Sequence, residues 1–189
     1  MSEFVINRKG TGVGLFTLSS KSPFQEGVAF KITGHGTATL AGGDKHYMVL
    51  VTDIPAASTL AEAAKAGEAA AAALAADATA EAKAAAKAAA EAAYREAHKE
   101  DTEVLFVSTL TKRKLTLAGG FEEPKGDLTK LFREVVQANL GKDDQTILDA
   151  LCAAVKDKTL VCQRRAYQGL NARGFAAPCE IAEFFFKKD

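Results

Sequence analysis

One segment of the chain, residues 56–100, is built mostly of alanine. Alanine occupies 25 of its 45 positions, and Glu, Lys and Arg occupy more than half of the others. These residue types are strong helix formers, so the whole segment favours a helical conformation. The residues on either side, 47–51 and 104–107, are instead rich in strand-forming types. The sequence therefore predicts a helical insertion within a domain of different composition.

The insertion is predicted to be an antiparallel helical hairpin. If residues 45–52 and 104–110 form neighbouring antiparallel strands, their facing ends lie about 5 Å apart. One helix of about 40 residues would be about 60 Å long and could not return the chain to that point. Two helices of about 18 to 20 residues can do so, with the reversal expected at residues 77–79. Thr59 and Glu62 have the spacing of a capping box at the start of the first helix.

The composition of the insertion leaves two origins open. The run Ala-Glu-Ala-Lys-Ala-Ala-Ala-Lys at residues 80–87 resembles helical linker sequences. This resemblance favours an engineered hairpin, either designed computationally or grafted as a rigid spacer, over a natural low-complexity insertion. Because alanine buries little apolar area, we expect the hairpin to keep its shape through helix propensity more than through a core.

Length and charge are those of an ordinary globular domain. The chain has 189 residues, of which 48% are hydrophobic, and this is enough for one well-formed core. Basic and acidic residues balance at 24 each; residues 56–100 carry five basic and seven acidic residues, hence −2, which leaves +2 elsewhere. This net charge is too small to predict an obligate nucleic-acid binder, so local clusters would have to carry such a function.

The cysteines and the first residues indicate the compartment. Cys152, Cys162 and Cys179 have neither metal-type spacing nor the even count of a complete disulfide framework. We interpret them as free thiols in a reducing compartment. The chain does not open with the charged and then apolar pattern of an export signal, and charges interrupt the alanine-rich segment too often for a membrane helix. The sequence thus predicts a cytoplasmic protein without membrane association.

Outside the insertion, strand-type and helix-type runs follow one another in a definite order. Strand-type runs cover residues 28–40, 45–52, 103–117, 159–168 and 179–186. Two helical runs lie between the third and fourth of these strands; the first has Asp127 as its predicted N-cap, and the second begins at Asp143 or Asp144. Further short strand-type runs within residues 3–18 are an addition to this order.

This order resembles the OB-fold, a five-stranded Greek-key barrel with a helix between its third and fourth strands. The resemblance covers residues 27–55 and 102–186 and rests on element order. It implies an α+β fold: an OB-like small β-barrel with helices between strands 3 and 4, and the helical hairpin inserted between strands 2 and 3. Residues 1–55 and 101–189 would form this single domain, and residues 56–100 the inserted hairpin. The alternative architecture is an α+β sandwich with the helices on one face of a sheet.

The same resemblance implies binding of single-stranded DNA or RNA at one surface. In OB-folds the ligand contacts strands 2 and 3 and the loops after strands 1 and 4. The candidate residues at matching positions are Tyr47, Lys112, Arg113, Lys114, Arg165, Tyr167, Arg173 and Phe175. Their cations would contact phosphates and their rings would stack on bases. The competing interpretation is a solvated charged face without a ligand.

Side chains along residues 161–168 alternate between the two faces of the predicted fourth strand, so the candidate residues there fall on different faces. Arg164 and Arg165 must point to opposite faces of a flat strand. We expect Arg165 and Tyr167 to form the ligand face, and Cys162 and Ala166 to lie in the core.

No sequence pattern predicts catalysis, a metal site or a cofactor. The chain contains no P-loop, dinucleotide fingerprint, nucleophile elbow or metal-type histidine spacing. His35, between Gly34 and Gly36, is predicted to be a surface residue next to a turn. We therefore expect a non-catalytic protein that holds no cofactor or metal.

A second class of function stays open, namely a structural or interaction scaffold. In that case the helical hairpin would be a spacer, an oligomerisation arm or a designed partner surface. The three consecutive phenylalanines at residues 184–186 are expected to place at least one ring on the outside. Homo-oligomers formed through the helical hairpin or through this C-terminal strand are therefore also considered.

Overall fold

The computed structural model of the chain describes residues 2–6, 13–14, 24–40, 46–106, 115–117, 119–122, 125–171 and 173–188. The α+β class predicted from the sequence is confirmed. The strands are β1 (Ser2–Ile6), β2 (Val13–Gly14), β3 (Ala29–Phe30), β4 (Ile32–Leu40), β5 (His46–Pro55), β6 (Thr102–Phe106), β7 (Leu115–Leu117), β8 (Gly120–Glu122), β9 (Leu160–Leu170) and β10 (Ala176–Phe186). The helices are α1 (Ala57–Ala72), α2 (Ala80–Ala97), α3 (Asp127–Ala138) and α4 (Asp144–Val155).

The first sheet has the strand order β1-β4-β5-β6-β2. Its centre is an antiparallel arrangement of β4, β5 and β6, and β1 and β2 add to the edges in parallel. The register between β4 and β5 shifts between Ile32 and Gly34. Such a shift bends the strand locally, as the glycines in this run predict.

The second sheet has the order β10-β9-β7-β8, with β3 paired to β9. Only Lys31 separates β3 from β4, so one extended segment, residues 29–40, contributes to both sheets. Closing a barrel in the OB order would also require β6 to pair with β10. No such pairing occurs among the strands that the structure describes. The described part of the chain therefore forms two sheets joined along one shared segment.

The alanine-rich segment forms two helices between β5 and β6, which are antiparallel neighbours. The first helix ends at Ala72, and the second begins after Thr79, whose hydroxyl accepts the N–H of Ala82 at 3.2 Å. The chain therefore reverses where the sequence predicts. A Cβ placed on Gly67 of α1 would lie only 2.7 Å from Cγ of Glu91 on α2. The two helices thus approach each other very closely at this glycine.

The predicted capping box at the start of α1 is wrong. Ala56 is the N-cap and makes no side-chain bond, while Thr59 is buried inside the first turn. Glu62 instead forms an exposed ion pair with Lys65. The cap is supplied from β6, where Oε1 of the buried Glu103 accepts the N–H of Ala57 at 2.7 Å. A carboxylate from the neighbouring strand therefore occupies the position that a local cap would take.

Two further hydrogen bonds attach the base of the helical hairpin to the first sheet. The hydroxyl of Thr52 donates to the backbone carbonyl of Glu103 at 2.8 Å. The N–H of Ala56 donates to the carbonyl of Asp101, also at 2.8 Å. The Thr52 bond joins β5 to β6 below the hairpin, while the Asp101 bond and the Glu103 cap hold the start of α1 to β6 and the residue before it.

The main core lies between the second sheet, the central strands of the first sheet and helices α3 and α4. Its largest side chains include three phenylalanines, Phe24, Phe30 and Phe184, whose ring centroids lie 5.1 to 5.6 Å apart in edge-to-face pairs. Phe184 is buried and Phe186 packs against the core, while Phe185 alternates to the opposite face of β10, outside the core cluster, and is half-buried there. The aromatic run thus closes the core at this end of β10.

The two core helices begin with different caps. Helix α4 begins at Asp144, the second of the two predicted starting positions, and Asp143 caps it by accepting the N–H of Thr146 at 2.9 Å. The prediction for α3 is wrong by one residue, because Gly126 is its N-cap and Asp127 is the first helical residue. Asp127 bonds outside its own helix, and its Oδ2 accepts the N–H of Phe186 at 3.1 Å. This bond draws the start of α3 onto the outer edge of β10.

Candidate nucleic-acid interface

The turn between β9 and β10 has a backbone held by one side chain. Oδ1 of Asn171 accepts the N–H groups of Arg173 and Phe175 at 2.9 and 3.1 Å. The backbone of Asn171 closes the turn, with its N–H donating to the carbonyl of Phe175 at 2.9 Å. Gly174 has φ +80, a conformation that favours glycine. These internal hydrogen bonds fix the backbone of the turn in the absence of a ligand.

This turn presents an aromatic ring and a cation to solvent. The side chain of Phe175 is 67% exposed, and Arg173 is exposed beside it. Among the residues that the structure describes, no ion pair engages Arg173. An exposed ring beside a free guanidinium is the combination that can stack on a base and contact a phosphate.

The two arginines in the middle of β9 are already paired. Nε of Arg165 lies 3.3 Å from Oε2 of Glu183, a carboxylate that is only 5% exposed. Arg164 forms an ion pair of 2.6 Å with Glu180. The structure therefore pairs Arg165 with the buried carboxylate of Glu183, and a phosphate would have to compete with that carboxylate for the guanidinium.

The faces of β9 are only partly as the alternation predicts. Cys162 is buried, as expected, but Ala166 on the same face is exposed. Tyr167 is half-buried and packs against the core. The face predicted to bind a ligand is thus partly covered, because Tyr167 packs against the core and Ile181, the partner of Arg165 in the register, is a core residue.

For four of the eight candidate residues, the side chain lies outside the described part of the structure. Lys112, Arg113 and Lys114 lie outside the described residues, as does the side chain of Tyr47. The strand that follows Lys114 in the sequence is β7, and its Leu117 pairs with Gly169 near the end of β9. Antiparallel pairing extends this register so that Leu115 lies opposite the start of the β9–β10 turn. Of the eight candidates, the structure brings Arg173 and Phe175 together at one surface.

Asn171 organises this surface by bonding to the backbone of the turn, a role that its place in the loop sequence does not specify. Asn and Gly are frequent turn residues because Asn bonds to backbone groups two residues on and Gly accepts positive φ. The Asn171–Gly174 spacing was the available signal, but it does not reveal which side chains the turn exposes.

His35 has a structural partner and lies mid-strand, contrary to the prediction of a turn-adjacent surface residue. Its Nε2 lies 2.7 Å from Oδ1 of Asp149 on α4, and its side chain is 13% exposed. The amide of Gln145 also bonds to Asp149 at 3.0 Å. These bonds, first from Gln145 and then from His35, hold the pKa of the Asp149 carboxyl below its usual range. The cluster joins α4 to the first sheet.

The two described cysteine side chains are poor nucleophiles. Burial raises the pKa of the Cys152 thiol to about 11 and that of the Cys162 thiol to about 12. Cys162 also lies 3.6 Å from the carbonyl of Phe24, to which its thiol donates. Because the thiolate is the reactive form, both groups are held in the unreactive state near neutral pH.

A thiol-labelling experiment tests this state directly. In a Cys179→Ser variant, we expect Cys152 and Cys162 to resist a disulfide reagent at pH 8, where roughly one Cys152 side chain in a thousand is ionised. Unfolding in urea should make both react at the rate of a free cysteine. Fast labelling of the folded variant would contradict the assigned burial.

The described part of the chain holds neither a metal-type cluster nor a helix suited to crossing a membrane. No group of three or more His, Cys, Asp or Glu side chains is placed to hold a metal ion in this part of the chain. None of the described helices has both the length and the apolar character needed to cross a membrane. Comparison of the chain with protein-family models, with curated proteins and with solved structures found no match.

Proposed function

We propose that the protein is a non-catalytic domain that binds single-stranded nucleic acid, with the β9–β10 turn as its principal contact. The observation that carries this proposal is the exposed ring of Phe175, held beside Arg173 on a turn whose backbone is set by Asn171. A single exposed apolar side chain is ordinary on a protein surface, but an exposed ring next to a cation is the combination that single-stranded nucleic-acid sites use. Here the ring is available without rearrangement of the backbone.

The proposal includes the OB-like arrangement, which four strand pairings support. The segment 29–40 pairs with β5 and also with β9, as the first strand of an OB-fold does. Strands β4, β5 and β6 follow one another as an antiparallel unit, and β9 pairs with β10. In this order the β9–β10 turn corresponds to the loop after strand 4, one of the loops that contact ligands in OB-folds.

Stacking and charge contribute to binding in different ways. Stacking of one base on an aromatic ring contributes about 1–3 kcal/mol and tolerates every base. Arg173 would contact a phosphate, and that contribution weakens as salt rises. The structure offers no array of base-edge donors at the turn among the described residues, so we propose binding with little sequence preference.

Replacing Phe175 with alanine tests the proposal. We expect the variant to bind a labelled 15-nucleotide oligothymidylate about 5- to 150-fold more weakly, which is the loss of one stacking contact. Fluorescence anisotropy at low and moderate salt measures the affinity, and Phe175→Trp should restore it.

The matched control is Leu140→Ala, which removes a side chain of nearly equal exposure, 66%, from the α3–α4 turn. This variant should bind like the wild type. If the wild type fails to bind the oligonucleotide at low salt, the proposal is overturned.

The alternative is a scaffold whose working part is the helical hairpin. The bonds that Glu103, Thr52 and Asp101 make at its base favour this alternative, because they give α1 a set direction relative to the first sheet. In both cases we treat the hairpin as an inserted, engineered arm. As a scaffold, the protein would act as a spacer or would assemble through the hairpin or the C-terminal strand. The same titration separates the two functions, since a scaffold requires no affinity for an oligonucleotide.

A further inference from the structure

A shallow groove lies at the end of the β9–β10 ribbon opposite the Phe175 turn. It has a volume of about 440 Å³ and is lined by Asp157, Lys158, Thr159, Phe186 and Lys187. We call it the lysine groove. Lys156 and Lys188 adjoin it in sequence and Asp189 follows Lys188, so residues 156–158 and 187–189 carry four positive and two negative charges. This is a concentrated positive surface on a chain whose formal net charge is zero.

Four lysines elsewhere in the described chain have a carboxylate beside them, unlike Lys158 and Lys187. On the helical hairpin and on α3, lysine ammonium groups lie next to carboxylates: Lys65 with Glu62, Lys87 with Glu68, Lys99 with Glu96, and Lys130 with Asp127. No ion pair joins Lys158 or Lys187 to a carboxylate among the described residues. Their charge is therefore available to an external anion.

The backbone around the lysine groove is held in place. The N–H of Lys187 donates to the carbonyl of Thr159 at 2.8 Å, and the N–H of Lys158 donates to the carbonyl of Val155 at 3.0 Å. Asp157 adopts φ 65, which turns the chain sharply after α4. Nζ of Lys158 lies 4.4 Å from the ring centroid of Phe186. This cation–π contact orients the ammonium group while leaving its N–H donors exposed.

Lys156 has a competing structural explanation. It follows directly on α4, and a cation is favourable at the carboxyl end of a helix. Lys158 lies two residues beyond this C-cap and packs on Phe186, whereas Lys187 follows β10 and lies far from the helix end in sequence.

The lysine groove and the Phe175 turn lie at the two ends of one ribbon. The register pairs Ala176 with Leu170 at one end and Phe186 with Leu160 at the other, ten residues apart. At about 3.4 Å per residue, the two ends are about 34 Å apart. The acidic residues between them, Glu180 and Glu183, are both paired with arginines. The ribbon between the two sites thus carries little uncompensated negative charge.

We propose that the lysine groove is a second contact for the same nucleic acid and binds its phosphates, so that the strand runs along the β9–β10 ribbon. This inference rests on the proposed function and adds the path and the length of the ligand. At the spacing of about 3.4 Å per nucleotide found in one strand of duplex DNA, a path of 34 Å takes at most about ten nucleotides, and fewer if the strand is extended. A short oligonucleotide would reach only one of the two sites, whereas one of 15 nucleotides would reach both.

The test uses the full chain with Lys158→Gln and Lys187→Gln combined. Its matched control is Lys65→Gln with Lys83→Gln, which removes the same charge from the helical hairpin. Both are titrated with oligothymidylates of 4 and 15 nucleotides between about 50 and 200 mM salt. Thermal unfolding first establishes that each variant is folded. For the 15-mer, we expect the groove variant to bind about tenfold more weakly at low salt, with a salt slope smaller by about 1.4, or 0.7 for each lost phosphate contact.

The outcomes separate this inference from the proposed function. Loss of affinity and slope for the 15-mer in the groove variant, with the control unchanged, supports the second site. Equal 15-mer binding by groove variant and control overturns it, while the effect of Phe175→Ala still tests the turn. If the groove variant loses as much affinity for the 4-mer as for the 15-mer, the proposed extended path is overturned. A wild type that binds neither oligonucleotide overturns both proposals.

Discussion

Replacing Phe184 with alanine is expected to lower the free energy of unfolding by about 3–5 kcal/mol, the usual cost of removing a buried aromatic side chain. Phe184 is 1% exposed, and its ring centroid lies 5.6 Å from that of Phe24 and 5.4 Å from that of Phe30. Its removal would leave a cavity where β10 meets residues 24–30. Since domains of this size are stable by about 5–15 kcal/mol, such a loss is a large part of the total.

Urea unfolding followed by circular dichroism measures this change. Phe175→Ala is the matched control, because it removes the same side chain from an exposed turn and should shift the free energy of unfolding by less than about 0.5 kcal/mol. A Phe184→Ala variant that loses less than about 1 kcal/mol would contradict its place at the centre of the core.

Replacing Glu103 with alanine is expected to lower the free energy of unfolding by about 1.5–3 kcal/mol, the range for a hydrogen bond to a charged group. The substitution removes the acceptor for the N–H of Ala57. It also removes a negative charge from the amino end of α1, where the helix dipole favours one. We expect amide hydrogen exchange in the first turn of α1 to accelerate with the loss of stability.

Glu103→Gln separates the cap from the charge. The amide oxygen of glutamine can still accept the N–H of Ala57, so we expect a smaller loss than for alanine. If both variants lose the same stability while exchange in α1 is unchanged, the side chain does not act as the cap. Thr79→Ala is a useful comparison, since it removes the local cap of α2 at the far end of the hairpin.

The helical hairpin could be predicted because its evidence is local and geometric. Alanine content favours helix, and the closure of β5 onto β6 requires the chain to return. The predicted reversal at 77–79 follows from the turn-type residues there and is confirmed by the cap at Thr79. The start of α1 could not be predicted in the same way. Its cap, Glu103, lies 46 residues from Ala57 and reaches it only through strand pairing.

At the candidate site too, features set by neighbouring residues could be predicted, and contacts between residues distant in sequence could not. The turn residues Asn171 and Gly174 are visible in the sequence, and so are the ring and the cation between and beside them. Whether Arg165 is ion-paired depends on Glu183, which lies 18 residues away and reaches it only through the pairing of β9 with β10. A sequence without known strand register does not say which carboxylate meets which arginine. Arg165 therefore could be identified as a cation but not as a paired one.

The anchoring of α1 to β6 has a mechanical consequence for the hairpin. Because Glu103 and Thr52 belong to the central strands and bond at the hairpin base, a rotation of these strands is transmitted to the helices. A helix of 16 residues is about 24 Å long. A tilt of about 10° at its base therefore moves its far end by about 4 Å. The length of the hairpin therefore enlarges small changes in the twist of the first sheet, and a fluorophore at its tip would report them.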